Sequence, residues 1–255
     1  MIRKYTFCIT IILLSIVSSK LSLSQSIYIQ HLNGKQVNED YLLKYPDSIL
    51  GIEFQSLQVT DYYASMYQNL DNLKYMYFSD CKITMNDINF EKLKGLKDLE
   101  IKYSNLSNLN HISKCLTLKR LYIEGTKITS LPKSMNHLVN LKILVLSNNE
   151  KLNTIDNQLT LNILQHFTIL NSPQIKELPA SLFMGSNLVS LNVLNIELCK
   201  LPKSLTNCHL LEKIDISISD NFNIKTLVRL NKINSIKGIR IGNSKYLSNR
   251  QKLIF

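Results

Sequence analysis

Metal binding and nucleophilic catalysis both draw on histidine and cysteine, and this 255-residue chain has five of each. His31, His111, His137, His166 and His209 stand far apart, with no H-E-x-x-H pair. Cys8, Cys81, Cys115, Cys199 and Cys208 include no C-x-x-C. A zinc site needs three or four such ligands converging on one ion, and a reactive thiol needs a base or a cation beside it. Local spacing supplies neither here. No G-x-S-x-G, phosphate-binding loop or G-x-G-x-x-G occurs. The reading is a chain without catalysis, without a metal and without a cofactor.

Recognition chemistry is better represented. Tyr75, Tyr77, Glu100, Lys102, Tyr103, Arg120, Tyr122 and Glu124 lie in one stretch, followed by the apolar Ile143 and Val145. Tyrosine offers an apolar face with a polar tip and arginine a planar fork of donors; both dominate the energetic centres of interfaces. Aromatic residues also suit strands for packing reasons alone, so the same tyrosines fit a purely structural role. Tyr77, Glu100, Tyr122 and Val145 are spaced by 23, 22 and 23 residues. That spacing gathers them only if the chain returns to one face about every 23 residues.

Such a return is written along the whole chain. Aligned on one apolar anchor per unit, Ile52, Met76, Leu99, Leu121, Leu144, Phe167, Leu191, Ile214 and Ile239 recur at intervals of 22 to 25 residues. Two residues after each comes Phe54, Phe78, Ile101, Ile123, Leu146, Ile169, Val193, Ile216 or Ile241. Three residues before each comes Ile49, Leu73, Leu96, Leu118, Leu141, Leu164, Leu188, Leu211 or Ile236. The alternation around Leu144 and Leu146 is that of a short strand with Val145 facing out. One such unit cannot fold alone: ordering it costs about 35 kcal/mol, and its apolar side chains return roughly 10 to 20. Units must therefore stack, each burying the faces of its neighbours.

This pattern resembles the leucine-rich-repeat family, with its L-x-x-L-x-L-x-x-N-x-L motif, over residues 49 to about 250. Leu131-Pro-Lys-Ser-Met135, Leu178-Pro-Ala-Ser-Leu182 and Leu201-Pro-Lys-Ser-Leu205 are similar to the L-P-x-S-hydrophobic version found in plant-type and bacterial members. The resemblance implies an α/β solenoid: a horseshoe of about nine repeats with a parallel β-sheet on the concave face. Proline lacks a donor and fixes φ, so short 3₁₀ or α turns, or irregular segments, are expected on the convex side. Five residues after the anchor the family places an asparagine whose amide joins adjoining coils. Here that column reads Leu57, Cys81, Ser104, Thr126, Asn149, Ser172, Ile196, Ser219 and Ser244. Hydroxyls or a thiol can make part of that bonding, whereas Leu57 and Ile196 cannot.

The flanks complete the organisation. Arg3 and Lys4, an apolar run from Tyr5 to Val17 and a Ser-rich stretch read as a secretory signal peptide, residues 1–24, cut near Ser24/Gln25. The apolar run is too short to span a bilayer comfortably. Its removal takes away Arg3, Lys4 and Lys20 and lowers the net charge from +11 to +8. Residues 25–48 read as an N-terminal cap and 49–255 as the solenoid, with no recognisable capping domain after Arg250 and with Leu253 to Phe255 available to fold back. The four mature cysteines would permit two disulfides in an oxidising compartment, while their repeat positions favour buried thiols.

The expected function is that of an exported binding protein, secreted, periplasmic or on the cell surface. Its concave face would use the ten residues from Tyr75 to Val145 named above to grip a protein partner, or a glycan. An alternative is a structural or adhesive surface component that assembles with itself or the envelope; a signal-anchored receptor fragment is a third. Membrane attachment would require the signal segment to remain, and nucleic acid is disfavoured by export. Lys74, Lys97, Lys119 and Lys142 align in four consecutive units, a ridge that serves solubility or attracts acidic glycans or anionic surfaces.

Overall fold

The computed structural model describes residues 26–31, 36–37, 39–59, 67, 70–83, 88–185 and 187–243. The expected signal peptide, its cleavage site, Ser244 and Leu253 to Phe255 lie outside the described residues.

The nine anchors form nine strands, one per coil. Coils 1 to 9 contribute Ile49–Gln55, Tyr75–Ser79, Asp98–Lys102, Arg120–Glu124, Ile143–Ser147, His166–Leu170, Ser190–Leu194, Lys213–Ile218 and Gly238–Asn243. They pair in parallel and in sequence order. Ile52, Met76, Leu99, Leu121, Leu144, Phe167, Leu191, Ile214 and Ile239 are cross-strand partners all the way along. This is the leucine-rich-repeat solenoid fold that the resemblance implied.

Burial follows the three apolar columns. Leu141, Leu144 and Leu146 of coil 5 are all fully buried, and their equivalents in coils 1 to 8 are at most 2% exposed. Each such side chain contributes about 1.5–3 kcal/mol when removed from water. In coil 9 the cover thins: Ile236 and Ile239 are only partly buried. At the other end the Ser26–His31 strand runs antiparallel along coil 1, with Ile29 opposite Ile52 and a register shift at Gln30/His31. The short strand Gln36–Val37 extends the sheet one place further.

Convex segments are short. The three L-P-x-S stretches each place the proline in extended conformation as the residue before a 3₁₀ helix: Lys133–His137, Ala180–Phe183 and Lys203–Asn207. Proline's missing donor therefore costs nothing, because the first amides of a helical turn have no internal acceptor. Met135, Leu182 and Leu205 then point into the core.

Between coils, the carbonyl two residues before each anchor receives a double donation. Lys97 O accepts from Lys119 N at 2.7 Å and Arg120 N at 2.9 Å; Lys74, Lys119, Lys142, Gln165, Val189 and Glu212 do the same for the coil that follows each. Asn149 adds the side-chain link expected of it. Its Oδ1 accepts from Thr126 N and Oγ1 at 3.0 and 2.7 Å, and its Nδ2 donates to Ile123 O at 2.9 Å, all fully buried. Cys81 and Ser219 bond backbone carbonyls from the same column, Cys81 Sγ to Phe54 O and Ser219 Oγ to Leu198 O. Ile196 is simply buried; one residue before it, the amide of Asn195 donates to Ser217 Oγ of coil 8 at 3.1 Å, where the equivalent amides of coils 1 to 6 donate to a backbone carbonyl of the next strand. Coil 8 achieves this by turning two successive residues, Ile216 and Ser217, inward.

Candidate functional site

The parallel register places the outward residues in columns across the inner sheet. Tyr77 sits between Glu53 and Glu100, followed by Tyr122 and Val145; Tyr75 sits between Gly51 and Asp98, followed by Arg120 and Ile143. Ser79, Lys102, Glu124 and Ser147 form a third column. All ten residues named from sequence thus lie in four adjoining coils, 2 to 5. Tyr75, Tyr77, Glu100, Lys102, Tyr122, Glu124, Ile143 and Val145 are half-buried, while Arg120 is exposed and Tyr103 is 57% exposed.

In coils 2 to 4 the polar groups are largely spent on each other. Arg120 presents Nε and Nη2 to the two carboxylate oxygens of Asp98. Lys102 Nζ lies 2.7 Å from Glu100 and 3.7 Å from Glu124, and 5.7 Å from the Tyr77 ring centre. Burial opposes the charge of Lys102, but Glu100, Tyr77 and Glu124 outweigh it and its pKa rises. Glu53 is pushed up by burial and by the Glu100 charge, with Lys102 opposing. Burial and the Glu53 charge raise the Tyr75 phenol to about 12, so it stays neutral. Its hydroxyl is buried and has no hydrogen-bond partner among the described residues.

Two tyrosines owe their positions to glycines in the next coil. A methyl group on Gly51 would lie 1.8 Å from Tyr75 Cε2, so that ring rests directly on the bare backbone of coil 1. Tyr103 leans the other way, over Gly125, where an added Cβ would meet its Cδ1 at 2.5 Å. Tyr103 differs from the other tyrosines of the set in its backbone. It is not a strand residue but sits at the strand exit with φ +48°, a left-handed conformation uncommon for a bulky side chain. Its hydroxyl donates to Glu124 Oε1 at 3.0 Å, which holds it there.

That exit position forms a column that sequence reasoning missed. Ser56, Asp80, Tyr103, Gly125, Asn148, Asn171 and Asn195 all have positive φ, one per coil from 1 to 7. Asparagine tolerates this region better than most residues because its short amide bonds locally. Here the amides also bond one another: Asn195 Nδ2 donates to Asn171, Asn171 to Asn148, and Asn148 to Glu124 Oε1, at 2.6, 2.7 and 2.9 Å. Three asparagines in register four residues after the anchor were the available signal. Two open grooves lie along this edge, one lined by Asp80, Lys82, Tyr103 and Lys127, the other by Asn148, Glu150, Asn171 and Gln174.

Leu170 and Leu194 were also missed. They are the third-column residues of coils 6 and 7, and both are partly exposed on the inner sheet. With Ile143 and Val145 they are the half-buried apolar side chains on the inner sheet of coils 5 to 7, and between them Thr168 and Asn192 bond each other at 3.3 Å. Among the described residues, no group of three or more His, Cys, Asp or Glu is arranged to hold a metal. Cys81, Cys115 and Cys208 are buried and in no disulfide, and burial pushes Cys115 up to about 11, far from the thiolate a nucleophile needs. No described helix is long and apolar enough to cross a membrane.

No protein-family model matches this chain, and a comparison with curated protein sequences returns no match. Among solved structures it is similar to internalin C2 of Listeria monocytogenes, at 20% identity and a TM-score of 0.61, covering 82% of this chain and 85% of that one. A leucine-rich-repeat protein of Leptospira interrogans aligns at 17% identity and a TM-score of 0.32, over 70% of this chain and 62% of that one. The first of these likenesses is one of fold.

Proposed function

We propose, from the leucine-rich-repeat fold of this chain, that it is an exported recognition protein whose inner sheet binds a protein partner. The observation that carries this is the set of half-buried apolar and aromatic side chains on coils 4 to 7, Tyr122, Ile143, Val145, Leu170 and Leu194, with Tyr77 beyond the charged strand of coil 3. Exposed strand faces made of such residues lose water readily, and aromatic anchors beside an apolar strip are what protein interfaces use. Catalysis has no part in this reading. Capturing partners from envelope and host extracts on the immobilised chain, followed by titration of the retained protein, tests it. A Tyr77→Ala, Tyr122→Ala, Val145→Ser, Leu170→Ser variant should lose about 100-fold in affinity at an unchanged Tm. Undiminished binding by that folded variant removes the assignment of the inner sheet.

A second reading, self-assembly at a surface, is supported by the last coil. Among the described residues no strand pairs with the far side of Gly238–Asn243, and Ile224 and Val228, on the 3₁₀ segment Ile224–Lys232 that leads to it, are 65% and 62% exposed. An unpaired strand edge is a template for another chain, and exposed apolar side chains in the same terminal unit add to it. Sedimentation that shows concentration-dependent association, abolished by Ile224→Lys with Val228→Lys, favours this reading over the first.

A further inference from the structure

We propose that the rim of the inner sheet carries a separate site for a linear acidic polysaccharide, formed by Lys74, Lys97, Lys119 and Lys142. These four residues occupy the same position in coils 2 to 5, two residues before the anchor, where the doubly bonded backbone carbonyls fix the coil-to-coil step. The step between parallel strands is about 4.8 Å, so the four ammonium groups arise along a line about 14 Å long. Lys97, Lys119 and Lys142 are exposed and Lys74 is half-buried. None of the four forms an ion pair among the described residues, although other lysines of this chain do: Lys102 with Glu100, Lys114 with Glu91, Lys200 with Glu177 and Lys237 with Glu212. The nearest cation on the sheet, Arg120, is committed to Asp98.

Repulsion along such a row is small in water but works in one direction, so an anionic occupant relieves it as well as gaining its own attraction. The shape of the row decides which anion. It is one residue wide, and the bordering column on the sheet is Tyr75, Asp98, Arg120 and Ile143, whose one carboxylate is already paired with Arg120. A flat anionic surface would press against those aromatic, apolar and paired groups together with the lysines. A thin chain with one negative group per sugar can lie along the rim and avoid them. The row ends where the column changes to Gln165, Val189 and Glu212, so the site spans coils 2 to 5 and no further. It stands beside the proposed protein-binding strip and does not depend on it.

The test compares the full chain with two variants of equal net charge. One is Lys74→Gln, Lys97→Gln, Lys119→Gln, Lys142→Gln; the other replaces the exposed Lys133, Lys176, Lys203 and Lys225 by Gln at scattered convex and loop positions. Heparin oligosaccharides are the probe, with uncharged dextran, single-stranded DNA and phosphatidylglycerol vesicles as the other arms. Binding of heparin should weaken at least about tenfold in the rim variant and less than about threefold in the scattered variant, with a shallower salt dependence in the rim variant only. Equal weakening in both variants overturns the site in favour of a net-charge effect. Tighter binding of DNA or vesicles than of heparin overturns the choice of a polysaccharide, and absence of heparin binding overturns the proposal altogether. Circular dichroism of both variants confirms that any loss comes from folded protein.

Discussion

Coils 2 to 4 and coils 5 to 7 share one backbone plan and treat their inner faces differently. In the first group the side chains meet across strands: Asp98 with Arg120, Lys102 with Glu100 and Glu124, Tyr103 with Glu124, and Tyr75 on Gly51. In the second group the face is uncharged apart from His166 and mixes Ile143, Val145, Leu170 and Leu194 with small polar residues linked once, Asn192 to Thr168. The longer polar series lies at the strand exits, where Asn195, Asn171 and Asn148 bond in turn. A partner touching the first group must compete with pairs already made, each worth little when exposed but costly to leave half-broken. Over the second group it meets no ion pairs on the face and one neutral side-chain bond, between Asn192 and Thr168. The difference teaches that a repeat fixes its own stacking through the backbone and can then place polar bonding either on its face or at its edge.

The sharpest way to break this comparison is at the boundary, where Asn149 of coil 5 is bolted to coil 4. Asn149→Ala leaves Thr126 N and Ile123 O buried without partners and should cost about 2–3 kcal/mol. Hydrogen exchange checks it: protection should fall first around coils 4 and 5, separating the two groups. Next in size is Gly51→Ala, which drives a methyl group into the Tyr75 ring and should cost about 1–2 kcal/mol by chemical denaturation. Combined with Tyr75→Ala it should cost less than the sum of the two changes, because the clash is then absent. If the two costs add, the seat on Gly51 is not what positions that ring.

Smaller effects probe the edge. Asn171 has φ +50°, so Asn171→Ala should cost about 1 kcal/mol, mostly through the backbone, and Asn171→Gly should recover most of it. Equal losses in both would mean that the amide series, not the left-handed turn, does the holding. The smallest change expected is a gain. Glu53 is an acid whose pKa is raised in the fold, so its ionised form penalises the fold at pH above that raised value. The penalty fades as pH falls toward the ordinary glutamate value of 4.5. Glu53→Gln should therefore raise Tm by about 1 °C at pH 7 and by nothing at pH 4 or below.

The register of all nine coils was legible in the sequence because three apolar columns repeat together and admit only one alignment. The 3₁₀ segments were legible too, since Pro132, Pro179 and Pro202 mark their starts. What escaped was set by side-chain direction and by turn geometry. Leu170 and Leu194 follow an apolar anchor pair and look like more core, although the column they share with Lys102 and Glu124 faces outward. Asn148 was overshadowed by Asn149 next to it, which has the buried role. No local rule places Tyr103 at positive φ; its reasons, Gly125 and Glu124, lie one coil away. Ser217 faces inward and receives Asn195 N on its hydroxyl, where coils 2 to 7 offer a backbone carbonyl at that place, an exchange visible only when neighbouring coils are compared.

The doubly bonded carbonyls from Lys74 to Glu212 have a consequence for how this surface can change. They make the pitch of the array a property of the main chain, so the side chains at that column behave as removable markings on a fixed ruler. Exchanging Lys for Gln, as coil 6 has done with Gln165, or for Glu, as coil 8 has done with Glu212, rewrites one mark without altering the scale. A lineage of such molecules can then sample new charge patterns one coil at a time, and an engineer can inscribe them in the same way.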